Sequence, residues 1–181
     1  MGDKPESRRV LGPLLGKMKS LLNASVVEAE PINWVTVLNG YVGIGHRPKV
    51  KQLQNLKKDG VSHIFTLLSE KEGAKQLETA FNQAGLDWIW LPLTSAEPPG
   101  DERVEEIRQV FSECKQQLET GAKIYIHCSA GIHRTGMISY ALLRFLGYDV
   151  EVAKCLLAEM REITAEQAGA DRLAWSEQFA P

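Results

Sequence analysis

Between residues 49 and 146 the chain alternates short, β-rich apolar runs with longer stretches whose apolar residues recur every three or four positions. No other feature narrows the fold as much. Val61 to Leu68 is too short and too rich in β-branched residues to prefer a helix. Ala74, Leu77, Ala80, Phe81 and Ala84 then mark one helix face, which stops at Gly85. Trp88 to Leu91 reads as the next strand. Val104, Ile107, Phe111, Cys114 and Leu118 mark a long helix that Gly121 ends. Ile124-Tyr125-Ile126 is a short buried strand, and Thr135 to Leu146 is apolar on most sides, as in a helix packed beneath a sheet. Strands alternating with helices imply a single α/β domain. Its central sheet is mainly parallel, joined by right-handed crossovers and flanked by helices on both faces.

The flanking segments fill out this plan. Asn39-Gly40 lies between Trp34–Leu38 and Tyr41–Ile44, a pattern that predicts an N-terminal β-hairpin with the Asn-Gly pair as its turn. Val50, Leu53 and Leu56 read as a short helix ending at Gly60. Ser69 with Glu72 three residues on reads as a capping box, and Asp101 as the cap of the long helix. Ala153, Leu156, Leu157, Met160 and Ile163 define a further helix over residues 151–163. A closing helix is expected around Leu173, Trp175 and Phe179. Residues 1–31 stand apart as an N-terminal arm or docking segment: Leu11, Leu14, Leu15, Met18, Leu21 and Leu22 are spaced helically but interrupted by Gly12, Pro13 and Gly16. The compact domain is placed at residues 32–181.

Charge and cysteine usage exclude several classes of function. A formal net charge of −2 over 181 residues gives no global field for nucleic acid or anionic membranes, so any anion site must be local. No apolar run is long enough to span a bilayer, and no secretory signal is expected from the charged stretch Met1 to Val10. Three cysteines do not make a disulfide framework. Cys114 and Cys155 are expected as small buried side chains on helix faces. A reducing, cytoplasmic setting and a monomer follow as expectations.

The chemistry concentrates in Ile126-His127-Cys128-Ser129-Ala130-Gly131-Ile132-His133-Arg134-Thr135-Gly136. Here a strand runs directly into a cysteine, and an arginine and a threonine open a helix. In an open α/β sheet this is where ligands bind, beyond the carboxyl ends of the strands. The backbone N–H groups of Ser129, Ala130, Gly131, Ile132 and His133 can form a nest for an anion, helped by the helix N-terminus. Arg134 adds a planar fork that matches two phosphate oxygens. Thiols in such fields fall to roughly 3.5–7.5 in pKa, which makes Cys128 a nucleophile needing no separate base. Thr135 is placed to donate a hydrogen bond to the sulfur, and His127 to hold the loop.

The string His-Cys-Ser-Ala-Gly-x-x-Arg-Thr-Gly, over residues 127–136, resembles the signature of cysteine-dependent protein tyrosine and dual-specificity phosphatases. The order of elements from about residue 33 to 165 is similar to the compact dual-specificity members. The resemblance implies a phosphocysteine intermediate on Cys128, with Arg134 and the loop amides holding the phosphoryl oxygens, and neither metal nor organic cofactor. It also implies an aspartic acid on a loop before the cysteine, to protonate the leaving oxygen.

Two positions depart from that pattern. His133 stands where the tyrosine phosphatases usually carry glycine; it is either a switchable positive charge or a solvent-facing loop residue. In the segment Leu91-Pro92-Leu93-Thr94-Ser95-Ala96-Glu97-Pro98-Pro99-Gly100-Asp101, Ser95 falls where aspartate is expected. Glu97, 31 positions before Cys128, is the first candidate for the acid. Asp101 and the absence of any local side-chain acid are the alternatives. His46 and Arg47 are candidates for substrate contact, and Gln167 for positioning water.

The leading expectation is a phosphoric monoester hydrolase acting on phosphotyrosine or phosphoserine/threonine proteins. A phosphoinositide or other small non-protein phosphate is the alternative substrate. A phosphate-binding module without turnover, or sulfur or arsenate chemistry on a related loop, are the alternatives to phosphoester hydrolysis. No nucleic-acid partner and no membrane insertion are expected.

Overall fold

A computed structural model describes residues 31–181. The segment read as an N-terminal arm, 1–31, thus lies outside the described residues but for Pro31. The rest is an α/β fold around a five-stranded sheet ordered β1-β2-β5-β3-β4. Its strands are β1 (Trp34–Val37), β2 (Gly40–Gly45), β3 (His63–Leu68), β4 (Asp87–Leu93) and β5 (Lys123–His127). Only β1 and β2 pair antiparallel; β2 with β5, β5 with β3 and β3 with β4 are parallel. All six residues of the interior strand β3 are buried, as parallel strands covered on both faces require.

Seven α-helices complete the description: α1 (Leu53–Lys58), α2 (Ala74–Gln83), α3 (Val104–Glu119), α4 (His133–Phe145), α5 (Val150–Met160), α6 (Glu162–Gln167) and α7 (Ala170–Ser176). Ile107, Phe111, Cys114 and Leu118 of α3 pack with α4 and α5 on one face of the sheet, against Val42, Phe65, Ile89 and Ile126. Leu53 and Leu56 of α1 join Leu77 and Phe81 of α2 on the other, against Ile64 and Tyr125. The alternation in β4 sends Ile89, Leu91 and Leu93 to the first face and the stacked pair Trp88 and Trp90, 5.1 Å between ring centroids, to the second.

The structure corrects four expectations. The hairpin turn is Leu38-Asn39, one residue earlier than the Asn-Gly pair, because Val37 pairs with Gly40. Leu38 takes the positive φ of 55°, an uncommon conformation for a side chain of its size. Gly40 is needed for a different reason: a Cβ there would collide with the carbonyl oxygen of Ala122. Asn39 Nδ2 donates to Glu119 O at the end of α3. Val50 is 64% exposed in a 3-10 turn, not on a buried helix face. Cys155 is exposed, whereas Cys114 is buried and its thiol pushed up by that burial. The single helix expected over 151–163 is broken at Arg161, whose φ of −168° and ψ of 108° are extended. Ile163 is therefore exposed.

Candidate active site

β5 ends at His127, and α4 begins at His133. The turn between them is shaped by donors that grip its carbonyls from outside. His127 Nδ1 lies 3.0 Å from Cys128 O; a carbonyl only accepts, so this nitrogen carries the proton. Arg47 N–H donates to Ser129 O at 3.1 Å. Arg161 Nη1 donates to the carbonyls of Ala130 (3.3 Å) and Gly131 (3.1 Å). Thr164 Oγ1 donates to Gly131 O at 2.7 Å. All peptides among the described residues are trans, so carbonyls drawn outward send the N–H groups of Ser129, Ala130, Gly131 and Ile132 to the opposite side. The Gly131 N–H donates to Cys128 Sγ at 3.2 Å. Gly131 has a φ of 68°, and a Cβ on it would collide with Gly45 O. Glycine is required there for both reasons.

His127 is fully buried. The desolvation of the charged ring pushes its pKa down to about 4, so the ring is neutral. With Nδ1 protonated, Nε2 accepts from Thr66 Oγ1 at 2.9 Å, and that hydroxyl accepts from Trp88 Nε1 at 2.9 Å. A donor chain thus runs from the β4 edge of the sheet to the carbonyl of Cys128. Trp88, together with Trp90, which donates to Leu68 O at 2.8 Å, is a packing residue with a polar anchor.

Arg134 enters from the first turn of α4 and is clamped at one end. Its Nη1 donates to Glu72 Oε2 (2.7 Å) and Leu93 O (2.9 Å), and its Nη2 to Glu72 Oε1 (2.8 Å). The Glu72 carboxyl also accepts from the N–H and Oγ of Ser69 at 3.0 and 2.8 Å. The Arg134 hydrogen bonds are the main cause of the Glu72 pKa falling to about 2, so this carboxylate is ionised at any neutral pH. In return Glu72, and to a lesser degree Cys128, raise the pKa of Arg134. The donors left for the cavity side are Nε–H and the second Nη2–H, the fork that suits two oxygens of one anion. Glu72 was legible in sequence only as a cap. Its second duty is set by a partner 62 positions away.

A cavity of about 150 Å³ opens over this loop, lined by Thr94, Ser95, Ala96, Cys128, Ser129, Ala130, His133 and Arg134. Of the other candidate residues, Gly131 faces the sulfur through its amide. Ile132 is outside the cavity lining, and the Thr135 hydroxyl, expected to donate to the sulfur, is instead buried with no hydrogen-bond partner among the described residues. The facing segment of the cavity is strapped to α7. Arg172 Nε donates to Ala96 O, and Trp175 Nε1 donates to Pro99 O at 3.0 Å. Glu97 is outside the lining, its side chain 78% exposed and 3.5 Å from Arg172 Nη2. Asp101 opens the 3-10 turn before α3, and Gln167 is exposed at the end of α6. Arg47 Nη1 donates to Glu72 O at 2.9 Å, and Arg161 Nη2 donates to His46 Nε2 at 2.9 Å, so the 45–47 loop borders the site. No group of three His, Cys, Asp or Glu side chains among the described residues is arranged to hold a metal ion.

Residues 42–147 match the model of the polymorphic toxin system DSP-PTPase phosphatase family. The chain belongs to that family. This phosphatase domain has no match among curated proteins, but its fold recurs widely among solved structures. Kinase associated phosphatase, in a form with its catalytic cysteine replaced by serine, superposes with a TM-score of 0.70 at 20% identity. That match covers 84% of this chain and 96% of the other. PTPMT1 in complex with PI(5)P gives 0.65 at 18% identity, over 81% and 94% of the two chains. TpbA of P. aeruginosa in complex with pTyr gives 0.56 at 20% identity, over 82% and 86%. At such identities these likenesses establish the shared fold of the phosphatase. No helix among the described residues is long and apolar enough to cross a membrane.

Proposed function

We propose that this phosphatase hydrolyses phosphoric monoesters through a phosphocysteine on Cys128. The observation that carries the reading is a buried thiol under the Gly131 amide, in a cavity that the Arg134 guanidinium also lines. The incoming phosphoryl group replaces the solvent of the cavity, its oxygens meeting the inward amides and the Arg134 fork. Cys128 sulfur attacks phosphorus as the ester oxygen departs. Because the amides and guanidinium are already aimed, they stabilise the charge of the transition state without reorganising. Water then attacks the phosphocysteine and releases inorganic phosphate. The residues present ask for no metal or organic cofactor in this sequence.

We assign catalysis to residues 32–181, and we favour phosphotyrosine or phosphoserine/threonine proteins as substrates in a reducing, cytoplasmic setting. The pTyr-bound relative supports a protein substrate. The PI(5)P-bound relative and the imidazole in the cavity support a phosphoinositide as the second reading.

The test is hydrolysis of 4-nitrophenyl phosphate by wild type and by Cys128→Ser, with acid-quenched protein weighed for one added phosphoryl group. Wild type turns over and carries the group on Cys128; the serine variant falls to background. Equal rates for the two proteins overturn the mechanism.

A further inference from the structure

The cavity described above contains no carboxylate among its lining residues. The leaving oxygen nevertheless needs a proton when its conjugate acid is weak, and water attacking the phosphocysteine must give one up. Three observations point to the group that handles both. His133 lines the cavity with Cys128 and Arg134. It sits on the first turn of α4, beside the arginine that receives the phosphate. Among the described residues its ring has no hydrogen-bond partner, whereas the other two imidazoles near the loop are engaged, His127 by Thr66 and Cys128 O, His46 by Arg161. Imidazole is the side chain that gives and takes protons near neutral pH.

The opposite wall offers no rival. Its lining residues Thr94, Ser95 and Ala96 do not titrate in this range. The acid beyond them, Glu97, turns to Arg172, and α7 straps this wall through Ala96 O and Pro99 O. The charged and titratable groups facing His133 across the cavity are Cys128 and Arg134, both of its own loop and helix.

We propose that His133 is the proton donor and acceptor of this phosphatase, a catalytic residue in place of the missing aspartate; the proposal rests on the phosphocysteine reading above. In the first step the Cys128 sulfur–phosphorus bond forms and the ester oxygen–phosphorus bond breaks. The oxygen takes the proton of the His133 imidazolium and leaves as the alcohol. In the second step neutral His133 takes a proton from water as the water oxygen bonds to phosphorus. The phosphorus–sulfur bond breaks, returning the Cys128 thiolate and the imidazolium and releasing hydrogen phosphate.

The experiment compares wild type with His133→Asn and Glu97→Gln on 4-nitrophenyl phosphate, a good leaving group, and phenyl phosphate, a poor one, across pH. For His133→Asn, kcat/KM on phenyl phosphate falls about 10²- to 10⁴-fold. The loss on 4-nitrophenyl phosphate is much smaller. The alkaline limb that wild type shows on the poor leaving group disappears. In His133→Gly, added imidazole restores part of the rate on phenyl phosphate. Equal losses on both substrates in His133→Asn, survival of the alkaline limb, or a larger selective loss in Glu97→Gln each overturn the assignment. A Cys128→Ser enzyme as active as wild type removes the phosphocysteine reading itself, an outcome none of the histidine variants can produce.

Discussion

Arg134 illustrates how one side chain is committed before substrate arrives. Five N–H groups point from a guanidinium, and Glu72 with Leu93 O takes those at one end. The remaining fork is thereby fixed in direction. Replacing Glu72 with Gln keeps the shape but loses the charge and one acceptor of the pair. Misplacing a phosphate clamp by about 1 Å costs on the order of 10²-fold. We therefore expect Glu72→Gln to lose between about 10- and 100-fold in kcat/KM for 4-nitrophenyl phosphate; a rate within twofold of wild type would count against the clamp. Glu72 also shows where reading by sequence stops. Its bonds to Ser69 were legible because they are local, three residues apart. Its bonds to Arg134 were not, because nothing in the spacing marks a partner beyond two helices and two strands. The meeting of Cys128 and Arg134 in one cavity was legible for the opposite reason, since both sit on one short loop.

The elements divide in the same way. Strands and helices from 61 to 146 follow the hydrophobic period, because each has one or two faces to bury and the period counts them. The break between α5 and α6 does not follow it. Met160 is buried and Ile163 exposed, yet both fall on one helical stripe. What stops the helix is tertiary: an extended Arg161 reaches the carbonyls of Ala130 and Gly131, where a helical one would continue the run. The hairpin is a similar case, in which close approach to Ala122 and not turn chemistry decides where Gly40 lies. Arg161→Met keeps the aliphatic stem while removing the side-chain donor to Ala130 O and leaving Gly131 O to Thr164. Losing hydrogen bonds from a charged group costs about 1.5–3 kcal/mol. We expect a drop of that order in unfolding free energy by urea titration, together with about tenfold lower kcat/KM, since the amides after Ala130 and Gly131 are less firmly held. Full activity in a destabilised Arg161→Met would show the break to be packing alone.

At the scale of the whole molecule, acid acts through two groups in succession. The unfolded His127 takes a proton below its ordinary value of 6.5, while the native ring stays neutral down to about 4. The His127 contribution to stability is therefore full above 6.5 and is lost with falling pH toward about 4, about 3 kcal/mol in all. Glu72 titrates at 4.5 when unfolded and about 2 when folded. Its contribution is likewise present above the higher value and lost as pH drops through the lower one, further reduced by solvent at the partly exposed carboxyl. Urea titrations between pH 7 and 4 should show the first decline in wild type and a flatter curve in His127→Asn. Parallel curves would mean that another group carries it.

The strap from α7 gives the wall opposite Cys128 a meaning beyond its missing acid. Thr94, Ser95 and Ala96 sit in a segment whose height above the sulfur is fixed when the chain folds, through Arg172 and Trp175. With that wall tied to α7, we expect selection among phosphoesters to be made at the mouth, by fit at first encounter.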